Sequence, residues 1–203
     1  MIDVLLVDDH PLVADGLASA LGAEPDIRVV AVAATLAAAR AALAAQAPHV
    51  AVVDIRLPDG SGLDLLDPAS ATACIVLSSF GAPQYLEAAR RRGAAGFFLK
   101  SSPTRDIVTG IKRVAAGGTA FDPAVVERET TAGRWRPLSE REREVVRLVV
   151  EGRSNDEIGR ELGIARKTVE THLAHLYERY GCRSRAELAV RAEREGWLDL
   201  PAG

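Results

Sequence analysis

The 203-residue sequence predicts an α/β domain built on a doubly wound parallel sheet, followed by a small all-helical domain. Three observations predict this organisation. Residues 1–120 alternate short apolar runs with segments of helical spacing, which is typical of parallel strands covered on both faces by helices. From residue 138 to residue 203 the pattern is helical throughout. The polar stretch 121–137 between these two regions predicts a linker.

Five strands are predicted in the α/β domain. Their apolar runs cover residues 4–7, 29–33, 50–53, 75–77 and 97–99. Five βα units in about 120 residues are typical of a flavodoxin-like fold with strand order 2-1-3-4-5. One connection is short, because only residues 63–66 show helical spacing before the fourth strand, so the third helix should be short.

Four helices are predicted in the second domain. Ser139 with Glu142 and Ser154 with Glu157 match the capping box, in which side chains satisfy free amides at a helix start. A short turn at Gly163 separates the second helix from a longer third one. A fourth helix should end the domain.

Composition predicts a globular protein of a reducing compartment. Hydrophobic residues make up 48% of the chain and charged residues 26%. The first apolar run meets Asp8 and Asp9, so it is too short and too charged for a signal peptide or a membrane span. Cys74 and Cys182 lie far apart and predict reduced thiols in a cytoplasmic protein. Because the formal net charge is −3, any nucleic-acid surface must come from local patterning.

Acidic side chains should converge at the carboxyl ends of the predicted strands. Asp8 and Asp9 end the first strand and Asp54 ends the third, and these strands are neighbours in the predicted order. Three converging carboxylates favour a hard divalent cation such as Mg²⁺. Ser78 ends the fourth strand and Lys100 the fifth, which adds a hydroxyl and an ammonium to the same crevice. This set of groups suits phosphoryl transfer.

These residues, in the runs VVDIRLPDGSG, IVLSS and GFFLK, resemble the receiver domains of two-component response regulators over residues 1 to about 118. The resemblance implies that Asp54 accepts phosphate from a histidine kinase. It also implies that Asp9, Asp54 and the backbone carbonyl of Arg56 bind Mg²⁺, with Asp8 acting largely through water.

The same resemblance assigns the remaining groups of the crevice. It implies that Ser78 hydrogen-bonds the phosphoryl group and that Lys100 pairs with its charge. Phe97 occupies the position of the family's aromatic switch residue, which turns inward when the hydroxyl moves.

Two other functions of the α/β domain are disfavoured. Haloacid-dehalogenase-type phosphatases also use a strand-end aspartate, but they carry a second aspartate two residues later, where this chain has Arg56. A dinucleotide-binding fold would need a G-x-G-x-x-G turn after the first strand, where this chain has Asp-Asp-His-Pro. We therefore expect a regulator and not an enzyme.

The third helix of the second domain has one apolar stripe and one polar face. The stripe residues recur at helical spacing and are Val169, Leu173, Leu176 and Tyr180. The opposite face mixes cations, hydroxyls and small residues, as a helix that enters a DNA major groove can. A local rim of basic side chains is suited to phosphates and comprises Arg166, Lys167, His172, Arg179, Arg183 and Arg185.

The run from Leu138 to Leu188 resembles a LuxR-type helix-turn-helix, and joined to a receiver it is similar to the NarL/FixJ class of response regulators. The resemblance implies that Lys167, Thr168 and His172 contact phosphates of double-stranded DNA. Together with Arg166 of the basic rim and His175 of the polar face, the expected DNA contacts are Arg166, Lys167, Thr168, Glu170, Thr171, His172, Ala174 and His175. Of these, Glu170, Thr171 and Ala174 should face the bases. It further implies a homodimer whose contact lies on the last helix, at Ala186, Ala189 and Val190.

This helix-turn-helix departs from the family's pattern at two positions. Ala165 holds the place of the usual Ser or Thr cap, so the helix start lacks a side-chain hydrogen bond. Glu170 stands where many relatives have a cation. An acid there can accept a hydrogen bond from cytosine N4, or it can pair with Arg166 or Lys167 and never touch a base.

The whole pattern predicts a DNA-binding transcription regulator that is switched by phosphorylation of Asp54. The alternative is a constitutive DNA-binding protein whose receiver serves as a dimerisation or docking module.

Overall fold

The computed structural model describes residues 1–79, 81, 83–131 and 138–198. The chain divides into two compact units, residues 1–134 and 135–203. Among the described residues, no helix combines the length and the apolar character that crossing a bilayer requires.

The first unit contains a six-stranded parallel sheet and a small antiparallel hairpin. The strands, in chain order, are β1 (Ile2–Val7), β2 (Ile27–Ala33), β3 (Val50–Asp54), β4 (Arg56–Leu57), β5 (Gly60–Ser61), β6 (Ala73–Ser78), β7 (Gly96–Leu99) and β8 (Ala120–Phe121). The sheet order is β2-β1-β3-β6-β7-β8, and β4 pairs with β5. The flavodoxin-like fold is therefore confirmed, with the two-residue strand β8 added at the edge as a sixth strand in place of the five predicted.

Helices cover both faces of this sheet. They are α1 (Pro11–Gly22), α2 (Leu36–Gln46), α3 (Pro83–Arg91), α4 (Thr104–Ala115) and α5 (Pro123–Thr131), with a 3₁₀ helix at Gly62–Leu65. Alternate residues of one strand enter different cores: Leu6 packs in a cluster with α1 and α4 residues, and Leu5 packs in a cluster with α2 residues. Because both faces are covered, the strands read as continuous apolar runs.

The predicted short third helix is a single 3₁₀ turn. The Ser61 hydroxyl accepts a hydrogen bond from the Leu63 amide at its start, and the chain turns extended again at Leu66. Three-ten helices are usually this short because their hydrogen-bond geometry is poorer than that of an α-helix.

The predicted linker contains a helix that the sequence analysis did not anticipate. Asp122 directly precedes α5 and caps it: its Oδ1 accepts a hydrogen bond from the Ala124 amide at 2.9 Å, and its Oδ2 accepts one from the Ser102 hydroxyl at 2.5 Å. Val125 is fully buried, and α5 packs against α3. Tertiary contacts, and not an apolar stripe visible in the sequence, explain why this polar segment is helical.

In its described part, residues 138–198, the second unit contains the four predicted helices, α6 (Glu140–Val150), α7 (Asn155–Leu162), α8 (Arg166–Tyr180) and α9 (Arg185–Arg194). Both predicted capping boxes are present, at Ser139 and Ser154. The four stripe residues of α8 are all buried in the core of this unit.

A tight turn joins α7 to α8. Gly163 ends α7 with a φ of 67°, a left-handed conformation that glycine adopts without steric cost. At Gly159 a Cβ atom would stand 2.8 Å from the carbonyl oxygen of Ile164, so a hydrogen in place of a side chain lets the turn pack closely on α7. These two glycines fix how α7 and α8 meet.

Candidate functional site

The predicted acidic residues meet at the carboxyl ends of β1 and β3. These strands are paired in register with Val7 opposite Val53, so the residues that follow them, Asp8 and Asp54, come to the same edge. Asp8 and Asp54 are both buried. Ligand atoms of Asp8, Asp9, Asp54 and His10 all lie within 4.8 Å of one another.

Lys100 bridges two of these carboxylates. Its Nζ donates a hydrogen bond to Asp54 Oδ2 at 2.7 Å and lies 2.7 Å from Asp8 Oδ2, and its side chain is only 11% exposed. Burial lowers the pKa of Lys100, but the hydrogen bond to Asp54 and the ion pair with Asp8 outweigh it and hold that pKa above its ordinary value. The crevice therefore keeps a fixed positive charge beside Asp54.

Burial raises the pKa of Asp54, and the hydrogen bond from Lys100 counteracts only part of that effect. The backbone amide of Arg56 also lies within hydrogen-bonding reach of Asp54, 3.4 Å from Oδ1. Asp54 is thus a shielded carboxylate with a lysine fixed at one oxygen, and such a group suits attack on an electrophilic phosphorus.

Two buried carboxylate oxygens in this crevice are suited to bind a cation. Asp8 Oδ2 and Asp9 Oδ1 accept no hydrogen bond from any described residue, although Lys100 Nζ and His10 Nδ1 lie near them as charge partners at 2.7 Å and 2.8 Å. Buried carboxylate oxygens without donors are the ligands that hard divalent cations take. The residues present therefore fit a hard divalent cation.

The other predicted receiver residues lie at or beside the same edge. Ser78 ends β6 and is buried, and its carbonyl oxygen accepts a hydrogen bond from the Lys100 amide at 2.8 Å, which ties the ends of β6 and β7 together. Phe97 is fully buried in β7. Arg56 begins the hairpin β4–β5, two residues after Asp54.

Two residues of this site were missed by the sequence analysis. His10 Nδ1 lies 2.8 Å from Asp9 Oδ1 and 3.2 Å from Asp8 Oδ1, and the only signal for it was its position next to Asp9. Gly62 ends the run VVDIRLPDGSG, in which no role was assigned to it, but a Cβ atom there would stand 1.9 Å from the carbonyl oxygen of Asp54. Only glycine allows the 3₁₀ helix to pass so close to Asp54.

The predicted DNA-facing residues lie together on α8. The exposed ones are Arg166, Lys167, Thr168, Thr171, Ala174 and His175, whereas Glu170 and His172 are half-buried. Ala165 precedes the helix with an extended backbone and no side-chain hydrogen bond, as its sequence predicts. Of the two interpretations of Glu170, the structure contains the ion pair: Glu170 Oε1 lies 3.0 Å from Arg166 Nε.

The predicted dimer residues differ in exposure. Val190 is 61% exposed, and Ala186, one helical turn before it, is also exposed. Ala189 instead packs partly against the core of its own unit. Ala186 and Val190 therefore form the accessible part of this surface.

Comparison with known proteins agrees with both units. The family model described as "Response regulator receiver domain" matches residues 4–112, and the model described as "Bacterial regulatory proteins, luxR family" matches residues 136–192. The chain is 39% identical over 198 residues to the transcriptional regulatory protein UhpA of Salmonella typhimurium, covering 97% of this chain and 100% of UhpA. It is 30% identical to the transcriptional regulatory protein DesR of Bacillus subtilis, covering 98% of this chain and 100% of DesR.

A solved structure extends the similarity to three dimensions. RcsB from Salmonella enterica serovar Typhimurium, bound to the promoter P1flhDC in the presence of the phosphomimetic BeF₃⁻, has a TM-score of 0.69 and 26% identity. The match covers 93% of this chain and 96% of the RcsB chain. UhpA and DesR are transcriptional regulatory proteins, and their similarity to this chain extends over both of its units. The chain therefore belongs to the two-component response regulators of the NarL/FixJ class, with a receiver and a LuxR-type DNA-binding domain.

Proposed function

We propose that Asp54 is the phosphoacceptor of this DNA-binding transcription regulator and that a histidine kinase supplies the phosphoryl group. The observation that carries the proposal is the placement of Lys100 Nζ at 2.7 Å from both Asp54 Oδ2 and Asp8 Oδ2. In the reaction, the N–P bond of the donor phosphohistidine breaks and an Asp54 carboxylate oxygen forms the new O–P bond. Lys100 then pairs with the charge of the phosphoryl oxygens, and Ser78 hydrogen-bonds one of them.

Asp9, Asp54 and the backbone carbonyl of Arg56 would hold Mg²⁺, with Asp8 acting through water. When bound, the ion neutralises negative charge on the carboxylates and the phosphoryl group. The protein's own contribution is to exclude water from Asp54 by burial and to keep Lys100 charged beside it.

We further propose the functional division of the chain. Residues 1–120 act as the receiver, residues 138–203 bind DNA, and residues 121–137 join them, with α5 of this segment packed on the receiver. Since DNA is its ligand, the regulator works in the cytoplasm. The exposed surface at Ala186 and Val190 would form the contact between two copies on paired half-sites, because helix-turn-helix proteins commonly read such sites as dimers.

Incubation with acetyl phosphate and Mg²⁺ tests the phosphoacceptor. Intact-mass spectrometry should show the addition of one phosphoryl group to the wild type and none to Asp54→Asn. Asp15→Asn, which changes an exposed aspartate of α1, is the matched control and should be phosphorylated normally. Addition of phosphate to Asp54→Asn at the wild-type rate would contradict the assignment.

Gel-shift titration of the same samples tests the switch. Phosphorylation should strengthen promoter binding by the wild type and by Asp15→Asn but leave Asp54→Asn unchanged. If Asp54→Asn bound promoter DNA as tightly as the phosphorylated wild type, the constitutive alternative would be correct and the receiver would act only in docking or dimerisation.

A further inference from the structure

The two cations that begin α8 have counter-charges close by. Arg166 Nε lies 3.0 Å from Glu170 Oε1 on the same helix, and Arg166 Nη1 lies 3.1 Å from Asp156 Oδ2 on α7. Lys167 Nζ lies 3.7 Å from the other Glu170 oxygen. Two cations and two carboxylates thus sum to zero charge at the place where the predicted interface meets phosphate.

These ion pairs lie at the surface and can exchange partners. The side chains of Arg166 and Asp156 are each 61% exposed and that of Lys167 is 88% exposed. Exposed pairs of this kind hold weakly because water competes for both partners. The negative charges of DNA are closely spaced along its backbone. A DNA phosphate can therefore take an arginine away from a single carboxylate.

Glu170 differs from the rest of the DNA-facing surface. The neighbouring positions Thr168, Thr171 and Ala174 carry no charge. Of the three residues that the family resemblance places against the bases, Glu170 is therefore the acidic one. Its side chain is 37% exposed and is oriented by the arginine one turn before it. The hydrogen bond from Arg166 lowers the pKa of Glu170, which keeps the carboxylate ionised and able only to accept hydrogen bonds.

We propose that Glu170 determines DNA specificity by exchanging Arg166 for a cytosine N4 amine. On non-cognate DNA, Glu170 keeps Arg166 and repels the backbone, so phosphate contacts at this turn are weak. At a cognate site, the amine of a cytosine in the major groove donates to Glu170, and Arg166 is released to the adjacent phosphate. The inference deepens the DNA-binding function and does not depend on phosphorylation of Asp54.

Salt dependence tests the release of Arg166. Glu170→Gln should bind non-cognate duplex DNA more tightly and with a steeper dependence on salt, because Arg166 then keeps only the exposed Asp156 as a partner and can meet a phosphate. One added phosphate contact steepens the slope of log K against log salt by about 0.9, which is about an eightfold gain at 0.1 M relative to 1 M salt. Glu178→Gln removes an exposed charge of the same sign from the same helix and should leave the slope unchanged.

A second substitution distinguishes the release of Arg166 from a general effect of removing one negative charge from α8. In the double variant Arg166→Ala/Glu170→Gln, the gain in slope should disappear, because the released cation is gone. If Glu170→Gln and Glu178→Gln steepen the slope equally, or if the gain survives in the double variant, Glu170 does not mask Arg166 and the proposal is overturned.

Selection of binding sites from a random duplex library tests the exchange at the base. The wild type should select one fixed cytosine in each half-site, Glu170→Ala should lose that preference, and Glu170→Gln should shift it towards adenine, which glutamine recognises. Retention of the same cytosine by Glu170→Ala would overturn the proposal. Circular dichroism and thermal melting of each variant establish that it is folded, and absence of DNA binding by the folded wild type would contradict the DNA-binding function instead.

Discussion

Gly62 lies directly against the backbone of Asp54: a Cβ atom at position 62 would stand 1.9 Å from the Asp54 carbonyl oxygen. Gly62→Ala should therefore push the 3₁₀ helix away from Asp54, lower the rate of phosphorylation and destabilise the fold by about 1–3 kcal/mol, as overpacking of a buried site does. Urea denaturation and the rate of labelling by acetyl phosphate measure the two effects.

Gly16→Ala is the matched control for that substitution. Gly16 lies in α1, and a Cβ atom there would meet nothing within 4 Å. Alanine should be neutral or stabilise the helix by up to about 1 kcal/mol. A Gly62→Ala variant as stable and as reactive as Gly16→Ala would show that the close approach to Asp54 has no consequence.

Removal of Lys100 should leave the buried Asp8 and Asp54 without their counter-charge. We expect Lys100→Met to be destabilised in the absence of divalent cations and to regain more stability than the wild type on addition of Mg²⁺, because the added ion replaces the lost charge. The measurement is the melting temperature across a Mg²⁺ titration. Equal shifts in both proteins would mean that Lys100 does not compensate these carboxylates.

Substitution of Ala165 should stabilise the start of α8. Its backbone is extended, at φ −66° and ψ 146°, and it offers no side-chain acceptor to the free amides of the first turn. A serine in that conformation can accept such a bond, so Ala165→Ser should add about 1 kcal/mol to the free energy of unfolding. Ser184→Ala, which deletes an existing cap at α9, should lose a similar amount, and an Ala165→Ser variant no more stable than the wild type would contradict the expectation.

Both cysteines should resist thiol reagents in the folded protein. Burial raises the pKa of the Cys74 thiol to about 11, and burial also raises the pKa of Cys182. At pH 8 only roughly one Cys74 in a thousand would be the reactive thiolate. Dithionitrobenzoate should therefore release little colour before urea is added and two equivalents afterwards, whereas rapid labelling without urea would show that the thiols are accessible.

Because of Glu142, the stability of the second unit should depend on pH in the acidic range. Burial raises its pKa, but hydrogen bonds from Ser139 and Arg179 outweigh burial and hold that pKa below the ordinary value of 4.5. Because the folded pKa is the lower one, the stabilisation is complete above pH 4.5 and is lost as the pH falls through the folded pKa.

Glu142→Gln should therefore cost about 1 kcal/mol at pH 7 and progressively less towards pH 3, by urea denaturation. Glu144→Gln, which removes an exposed pair with Arg141 on the same helix, should cost less at every pH. A cost of Glu142→Gln that did not change with pH would show that its ionisation is not linked to folding.

The sequence predicts the crevice well because backbone topology alone places it. Parallel strands end at one edge, so Asp8, Asp54 and Lys100 converge whatever the details of packing. The stripe of α8 and its missing cap at Ala165 are equally visible, since both depend on residue type at fixed helical spacing. These features follow from local pattern and periodicity.

What the sequence could not predict depends on distant contacts and on side-chain conformation. Strand β8 has two residues, too few for an apolar run, and α5 is helical because Asp122 and Val125 find tertiary partners. The need for glycine at position 62 arises from a backbone that passes close to Asp54 only in three dimensions. Whether Glu170 pairs with Arg166 is likewise a matter of rotamers, which spacing leaves open.

The attachment of Asp122 to Ser102 has a practical consequence for chimeras. Because α5 is capped and packed within the first unit, a receiver cut at residue 120 would lose the cap of that helix, the buried Val125 and the partner of the Ser102 hydroxyl. A fusion that keeps both Asp122 and α5 (Pro123–Thr131) with the receiver preserves all three. The transplantable sensor module is thus longer than the stretch in which strands and helices alternate.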